Sequence, residues 1–280
     1  MQNRTYGLTD LLYEWHKSME VRFHKYQGTG NDFVILDNRN ETYNNLTVKQ
    51  IRFLCDRRFG IGADGLMLLN KANGYDFEMI YFNADGREST MCGNGGRCLV
   101  KFAWEMGIRK PQYKFLAIDG PHDAEIDEDD GTVSLKMKDV RKVTEYHGDF
   151  LLDTGSPHYV RMVEDVMKLD VYKEGYEIRN SAAFVKEGIN VNFVEQKDED
   201  SIIVRTYERG VENETLSCGT GVTASALVCY HNERGFNNVT VHTRGGDLTV
   251  EYDRMGDQSY ENIWLCGPAV KVFEGSLILS

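Results

Sequence analysis

Two cysteines in matched settings carry the clearest chemical signal in the chain. Cys92 opens the run Cys-Gly-Asn-Gly-Gly-Arg-Cys-Leu-Val (92–100), and Cys218 opens Cys-Gly-Thr-Gly-Val-Thr-Ala (218–224). In each copy a thiol precedes a Gly-x-Gly turn and then a run that is apolar on almost every side, as in a buried helix. Each thiol is therefore expected at the first turn of a core helix. A helix start presents unpaired N–H groups and about half a positive charge, so it attracts carboxylates and favours a thiolate. Glycine lets the backbone come close to a ligand. A single cysteine so placed reads equally well as a small core residue. The repeat points instead to two thiols facing one ligand.

Two thiols on opposite sides of one carbon suit the inversion of a stereocentre. One, as thiolate, removes an α-proton from one face; the other, as thiol, returns a proton to the opposite face. The α C–H of an amino acid is very weakly acidic, so helix starts aimed at the substrate carboxylate must stabilise the developing charge in a dry, preorganised site. Acid and base must also hold different protonation states, which coupled neighbours can arrange. Polar residues stand where such a site needs them. Asn31, Asn83 and Asn190 lie in turns or strand ends, and His158 and the Glu208-Arg209 pair follow strands of the second half. An arginine is the natural clamp for a carboxylate far from the reacting carbon.

The elements that must position these groups follow from the pattern. Residues 1–20 stand apart as an N-terminal extension, with Leu8, Leu11, Leu12 and Trp15 at helical spacing and no expected part in the chemistry. Val21–Tyr26 reads as the first strand, and Gly28–Asp37 as a tight turn and a second strand. Thr47 is expected to cap a helix with Ile51, Leu54 and Cys55 on one face, ending near Gly60. Gly60–Leu69 is a Gly-rich turn feeding an apolar strand, without the Gly-Lys-Ser/Thr of a phosphate loop. The strand Tyr75–Phe82 leads through Asn83-Ala-Asp-Gly-Arg to the first thiol, and strands are expected over 113–126 and 132–137. The second half repeats this order. Phe150–Val160 echoes the first strand, turn and strand, with His158-Tyr159-Val160 answering Asp32-Phe33-Val34. Glu88 and Glu214 each lie four residues before a thiol, and turns ending at Asp123 and Asp247 follow the helices. A repeat this long means duplicated domains related by a pseudo-twofold, whose helix starts meet at a shared cleft.

Composition narrows the rest. The 280 residues leave room for two domains, and 41% hydrophobic with 27% charged content is that of a globular protein. A net charge of −12 argues against nucleic acid or an anionic membrane as partner. The acidic run Asp123–Asp130 reads as a solvated hairpin tip, and no apolar run approaches membrane-spanning length. Six irregularly spaced cysteines without a signal-peptide pattern suggest a reducing cytoplasm. No C-x-x-C pair occurs, so neither a zinc site nor a thioredoxin-like motif is expected. Cys55, Cys98, Cys229 and Cys266 read as packing residues.

Seven stretches, taken together, identify a family. They are Gly-Thr-Gly-Asn-Asp-Phe (28–33), Gly-Ile-Gly-Ala-Asp-Gly (60–65), Asn-Ala-Asp-Gly (83–86), Met-Cys-Gly-Asn-Gly-Gly-Arg-Cys (91–98), Tyr-Glu-Arg-Gly (207–210), Glu-Thr-Leu-Ser-Cys-Gly-Thr-Gly (214–221) and Gly-Pro-Ala-Val-Lys-Val-Phe-Glu-Gly (267–275). With them the chain after residue 20 resembles the diaminopimelate epimerases, cofactor-independent enzymes of lysine and peptidoglycan-precursor synthesis. The resemblance implies an α+β fold of two pseudo-twofold lobes, each a mixed or antiparallel, barrel-like curled sheet around a central helix. The first lobe would span 21–138, with strand 268–280 returning to it, and the second 139–267.

The same resemblance implies that Cys92 and Cys218 transfer the protons. Amides at Gly93, Asn94, Gly219 and Thr220 would hold the reacting carboxylate. Asn31, Asn83, Asn190, Glu208 and Arg209 would bind the amino groups and the distal carboxylate, while His158 and Glu208 tune the thiols. It implies a small-molecule substrate, LL- and meso-diaminopimelate, a homodimer, and no cofactor, metal, nucleic-acid or membrane partner. One position departs. Gly155-Ser156-Pro157-His158 stands where the family commonly reads Gly-Asn-Pro-His, and serine offers one hydroxyl in place of an amide's donor and acceptor. Ser156 is held as a binding residue on that footing. Rival readings are a proline-type racemase, which needs no distal clamp, a redox switch between the two thiols, and a pyridoxal-phosphate enzyme.

Overall fold

The computed structural model describes residues 19–229 and 233–279. The helix expected around Leu8–Trp15 lies outside them. The first half opens with an antiparallel hairpin, β1 (Met19–Gly28) and β2 (Asn31–Asp37), so the first strand begins two residues ahead of Val21. Helix α1 (Val48–Cys55) leads to β3 (Gly65–Asn70), which lies parallel to β2. Strands β4 (Phe77–Asn83) and β5 (Glu88–Ser89) continue antiparallel into α2 (Gly93–Glu105). After α2 come β6 (Gln112–Ala117), which is parallel to β4, then β7 (Gly120–Ile126) and β8 (Val133–Lys136).

The second half runs through the same pairings. Strand β9 (Thr144–Tyr146) precedes the hairpin of β10 (Asp149–Asp153) and β11 (Pro157–Met162). Helix α3 (Val171–Arg179) leads to β12 (Asn190–Asp198), parallel to β11, followed by antiparallel β13 (Ser201–Glu208) and β14 (Asn213–Thr215). Then come α4 (Gly219–Leu227), β15 (Gly235–Thr243) parallel to β13, β16 (Gly246–Gly256) and β17 (Ser259–Gly267). Where the two halves meet, β17 pairs with β8. The last strand, β18 (Val270–Leu279), goes back to β1 and takes the place there that β9 takes beside β10.

Side-chain pattern explains why each half wraps a helix. Strand β3 is apolar at every position from Leu66 to Leu69 because both of its faces are covered. Met67 and Leu69 join the core around α2, whereas Leu66 and Leu68 pack with Ile51 and Leu54 of α1. In the second half Val194 joins the core around α4, while Val191 and Phe193 turn to Val171 of α3. Thr47 caps α1 in a capping box with Gln50. The helix stops at Cys55, short of Gly60, because Asp56 is extended and its carboxylate accepts the N–H groups of Arg58 and Phe59. The expected strand 113–126 is a hairpin turning at residues 118–119, so Asp123 lies within β7, opposite Lys114. The acidic tip narrows to residues 127–132, where Asp127 and Asp130 accept turn N–H groups. Among the described residues no helix is long and apolar enough to cross a membrane.

Candidate active site

Cys92 and Cys218 occupy corresponding places, each as the residue that caps its helix, in extended backbone. That is one position earlier than the first turn expected from sequence. The two helix starts abut. A Cβ added to Gly219 would stand 3.6 Å from Gly93 Cα, in van der Waals contact, and 2.9 Å from Leu265 Cδ2, which would have to shift. The join is pinned by side chains from both halves. Asn94 donates through Nδ2 to Ser217 O at 3.2 Å; Thr29 Oγ1 donates its one hydrogen to Asn94 Oδ1 at 3.3 Å and pairs with the Ser217 hydroxyl at 3.2 Å. The Asn94 carboxamide is therefore a brace between halves.

Both thiols are held protonated. Burial pushes the pKa of each well up, and the negative charge of Glu208 pushes both further. Backbone N–H groups of Gly95 and Asn94 act in the opposite sense on Cys92. The Thr220 hydroxyl, 3.5 Å from the Cys218 sulfur, and the Gly221 N–H do so on Cys218. Helix-start polarity is thus present at both sulfurs, but desolvation outweighs it. Glu208, at the end of β13, acts on both thiols through its charge, and burial raises its own pKa, with the charge of Asp64 adding to the effect.

Around Cys92 the first half supplies a charged scaffold. The thiol donates to Asn31 Oδ1 at 3.4 Å, and Asn31 Nδ2 donates to Asp64 Oδ2 at 2.6 Å. Arg57 spans Asp32 at 2.8 and 2.7 Å and Asp64 at 2.7 Å, and buried Lys25 pairs with Asp32 at 2.7 Å. Burial alone would raise the Asp32 pKa; the hydrogen bonds of Arg57 and Lys25 overcome it and leave the carboxylate well below its usual range. Asn83 ends β4 opposite Gly65, exposed, and among the described residues its side chain forms no hydrogen bond to other site members.

Around Cys218 the second half supplies a mostly neutral one. Ser156 Oγ accepts from Asn190 Nδ2 at 2.9 Å and from Arg209 Nη2 at 3.3 Å, and Asn190 Oδ1 accepts the Arg209 backbone N–H at 2.9 Å. The structure thus brings Ser156, Asn190 and Arg209 together, with the serine hydrogen left to donate. His158 is fully enclosed, and burial lowers its pKa to about 3, so the ring is neutral at ordinary pH. Asn192 decides its tautomer. Its Nδ2 donates to Tyr159 O at 3.0 Å, and its Oδ1 accepts from Thr206 at 2.9 Å, so the same nitrogen must also donate to His158 Nδ1 at 3.0 Å. The proton then sits on Nε2, which has no partner among the described residues. Asn192, Thr29, Ser217, Lys25, Arg57, Asp32 and Asp64 were not picked out as site residues from sequence; most fall inside the quoted motifs, but no spacing rule sets them apart.

Two halves of one topology, each wrapped around a central helix, make a known fold. The chain superposes on a PhzF-family phenazine biosynthesis protein of Bacillus anthracis with a TM-score of 0.72 at 15% identity, covering 93% of this chain and 100% of that one. It superposes on a hydroxyproline epimerase from Agrobacterium vitis with a TM-score of 0.64 at 14% identity, covering 94% and 93%. Sequence comparison is more specific. The diaminopimelate epimerase family model matches residues 23–143 and 150–272. A diaminopimelate epimerase of Flavobacterium psychrophilum is 47% identical over 92% of this chain and 100% of its own length. One of Chlorobaculum tepidum is 42% identical over 90% and 99%. The chain belongs to the diaminopimelate epimerase family.

Proposed function

We propose that this protein interconverts LL-2,6-diaminopimelate and meso-diaminopimelate without a cofactor, with Cys92 and Cys218 as the paired proton-transfer groups. The observation that carries the reading is the meeting, at Gly93 and Gly219, of two helix starts that each have a cysteine at the N-cap position. In this reading the free amides at the two helix starts, among them those of Gly93, Asn94, Gly219 and Thr220, take the reacting carboxylate. Arg209, with Ser156 and Asn190, takes the distal carboxylate, and Asn31 and Asn83 take the amino groups. Each thiol rests protonated, so the base forms only when one proton leaves; Glu208 and the neutral ring of His158 set the poise between them.

The same proposal includes the lobes, 21–138 with 268–280 and 139–267, a division supported by the pairing of β18 with β1. It includes a cytoplasmic setting, supported by six free cysteines. It includes a homodimer, supported by exposed Val270, Val272, Phe273 and Ile278 on β18, whose other edge has no partner among the described residues.

The test is α-deuterium incorporation from D₂O into LL-diaminopimelate by reduced protein. Exchange with accumulation of the meso isomer is expected, and Cys92→Ala and Cys218→Ala should each lower turnover by about 10³-fold, within the range of general acid–base groups. No exchange from fully reduced protein would overturn the substrate assignment.

A further inference from the structure

Two cationic side chains are buried in the described residues, Lys25 and Arg97, and they differ in one respect. Lys25 has Asp32. Arg97, with 0% of its surface exposed, forms no ion pair among the described residues. Its guanidinium reaches back along α2 to Gly93 O at 3.5 Å and Asn94 Oδ1 at 2.9 Å, and across to Thr29 Oγ1 at 3.3 Å, while Nε has no partner. All these acceptors are neutral. Gly28 and Gly267 pack against it so closely that an added Cβ at either would stand 3.4 Å from a guanidinium nitrogen.

A cation beside a helix start stands against the positive end of the helix dipole and would be destabilising for structure alone. Neutral hydrogen-bonding groups fill the same role in the other half. The matching position on α4 is Thr223, whose Oγ1 donates to Gly219 O at 3.0 Å, as Arg97 Nη1 does to Gly93 O. The brace therefore does not need a charge, and the charge needs another account. Anions arrive at this place only during the reaction: a carboxylate at the helix starts and a thiolate at Cys92.

We infer that Arg97 is a resident countercharge of the two-thiol site, a positioning residue that acts through its field to let a Cys92 thiolate and a bound carboxylate coexist in a dry cleft. This deepens the proposed function and rests on its assignment of Cys92. The ionisable groups facing Cys92 are Glu208 from β13, Tyr81 from β4, Cys218 at the head of α4, and Cys98 and Arg97 from α2. Of these, Arg97 alone is cationic and draws the thiol toward ionisation.

The experiment is alkylation of Cys92 by iodoacetamide, resolved by mass spectrometry, as a function of pH, in wild type, Arg97→Lys, Arg97→Gln and Arg97→Met. Removal of the charge in Arg97→Gln or Arg97→Met should move the midpoint up by about one pH unit, a tenfold slower reaction below it. Arg97→Lys, which loses the fork but keeps the charge, should stay near wild type. An unmoved midpoint in a folded charge-free variant, or an Arg97→Lys shifted as far as Arg97→Gln, would reduce Arg97 to a brace for Asn94. If the charge-free variants do not fold, the wild type decides: Cys92 should be alkylated with a midpoint below that of Cys218, whose helix carries neutral Thr223 in the place of Arg97, and a Cys92 midpoint at or above that of Cys218 would overturn the inference. The readout uses no substrate. Failed deuterium exchange with a shifted midpoint would sink the diaminopimelate reading alone, and the converse would sink this inference alone.

Discussion

The two halves repeat each other strand for strand yet surround their thiols differently. On the Cys92 side, Lys25, Asp32, Arg57 and Asp64 form a charge lattice that orients Asn31, and α2 carries the enclosed Arg97. On the Cys218 side the equivalents are neutral: Ser156 for Asn31, a neutral His158 braced by Asn192, and Thr223 for Arg97. The repeated topology thus places the two thiols alike, while the side chains around them differ. An epimerase needs that inequality, because one thiol must give a proton while the other takes one.

Several changes would break or sharpen the contrast. The largest concerns Arg209, an exposed cation of the second half beside Ser156. Arg209→Met should lower kcat/KM for diaminopimelate by about fiftyfold, mostly through KM, as expected for a lost charged hydrogen bond. Initial rates would show this, and an unchanged KM would remove Arg209 from the substrate. Next comes His158. Its folded pKa lies below its unfolded value, so as pH falls below about 6.5 the unfolded chain takes up a proton that the folded chain refuses, and stability falls. The slope is about 1.4 kcal/mol per pH unit, or about 2 kcal/mol between pH 6.5 and 5, and urea titrations should show it absent from His158→Phe.

Asn192→Leu is smaller in effect but more pointed. It removes the donor that keeps the imidazole proton on Nε2, so ¹⁵N spectra should show the tautomer change, with kcat down about tenfold, one hydrogen bond's worth. A change in kcat with an unaltered ¹⁵N pattern would leave Asn192 as packing only. Smallest is Ser156→Asn. The hydroxyl accepts from Asn190 and Arg209, roles an amide oxygen can fill, so rates should stay within about threefold of wild type.

How much of this is legible in sequence follows from which features are local. The thiol, the glycines and the helix behind them are contiguous, so both copies stand out and their shared place follows from the repeat. The α1 start is equally local, written in Thr47 and Gln50. Its end at Cys55 is less so, because Arg58 continues the polar pattern while Asp56 turns the backbone away. The charge lattice joins β1, β2 and the connection from α1 to β3, and nothing near Arg57 or Asp64 in the chain announces their meeting with Asp32 and Lys25. Arg97 is the extreme case. An arginine after a glycine run reads as a helix-surface residue, and only the packing of β1 and β17 over it makes it the most enclosed charge described.

The pairing of β18 with β1 has a consequence for how the chain is made. Met19 lies opposite Leu279 and Val21 opposite Leu277, so one of the earliest described strands to leave the ribosome finds its outer partner only after nearly everything between has been synthesised. The second half has no such wait, since β9 is made just before β10. The later-made half can therefore close its sheet as it emerges, while the earlier-made half keeps an open edge, bearing Val21 and Phe23, to be shielded until the end. Translation order and completion order run in opposite directions in this molecule.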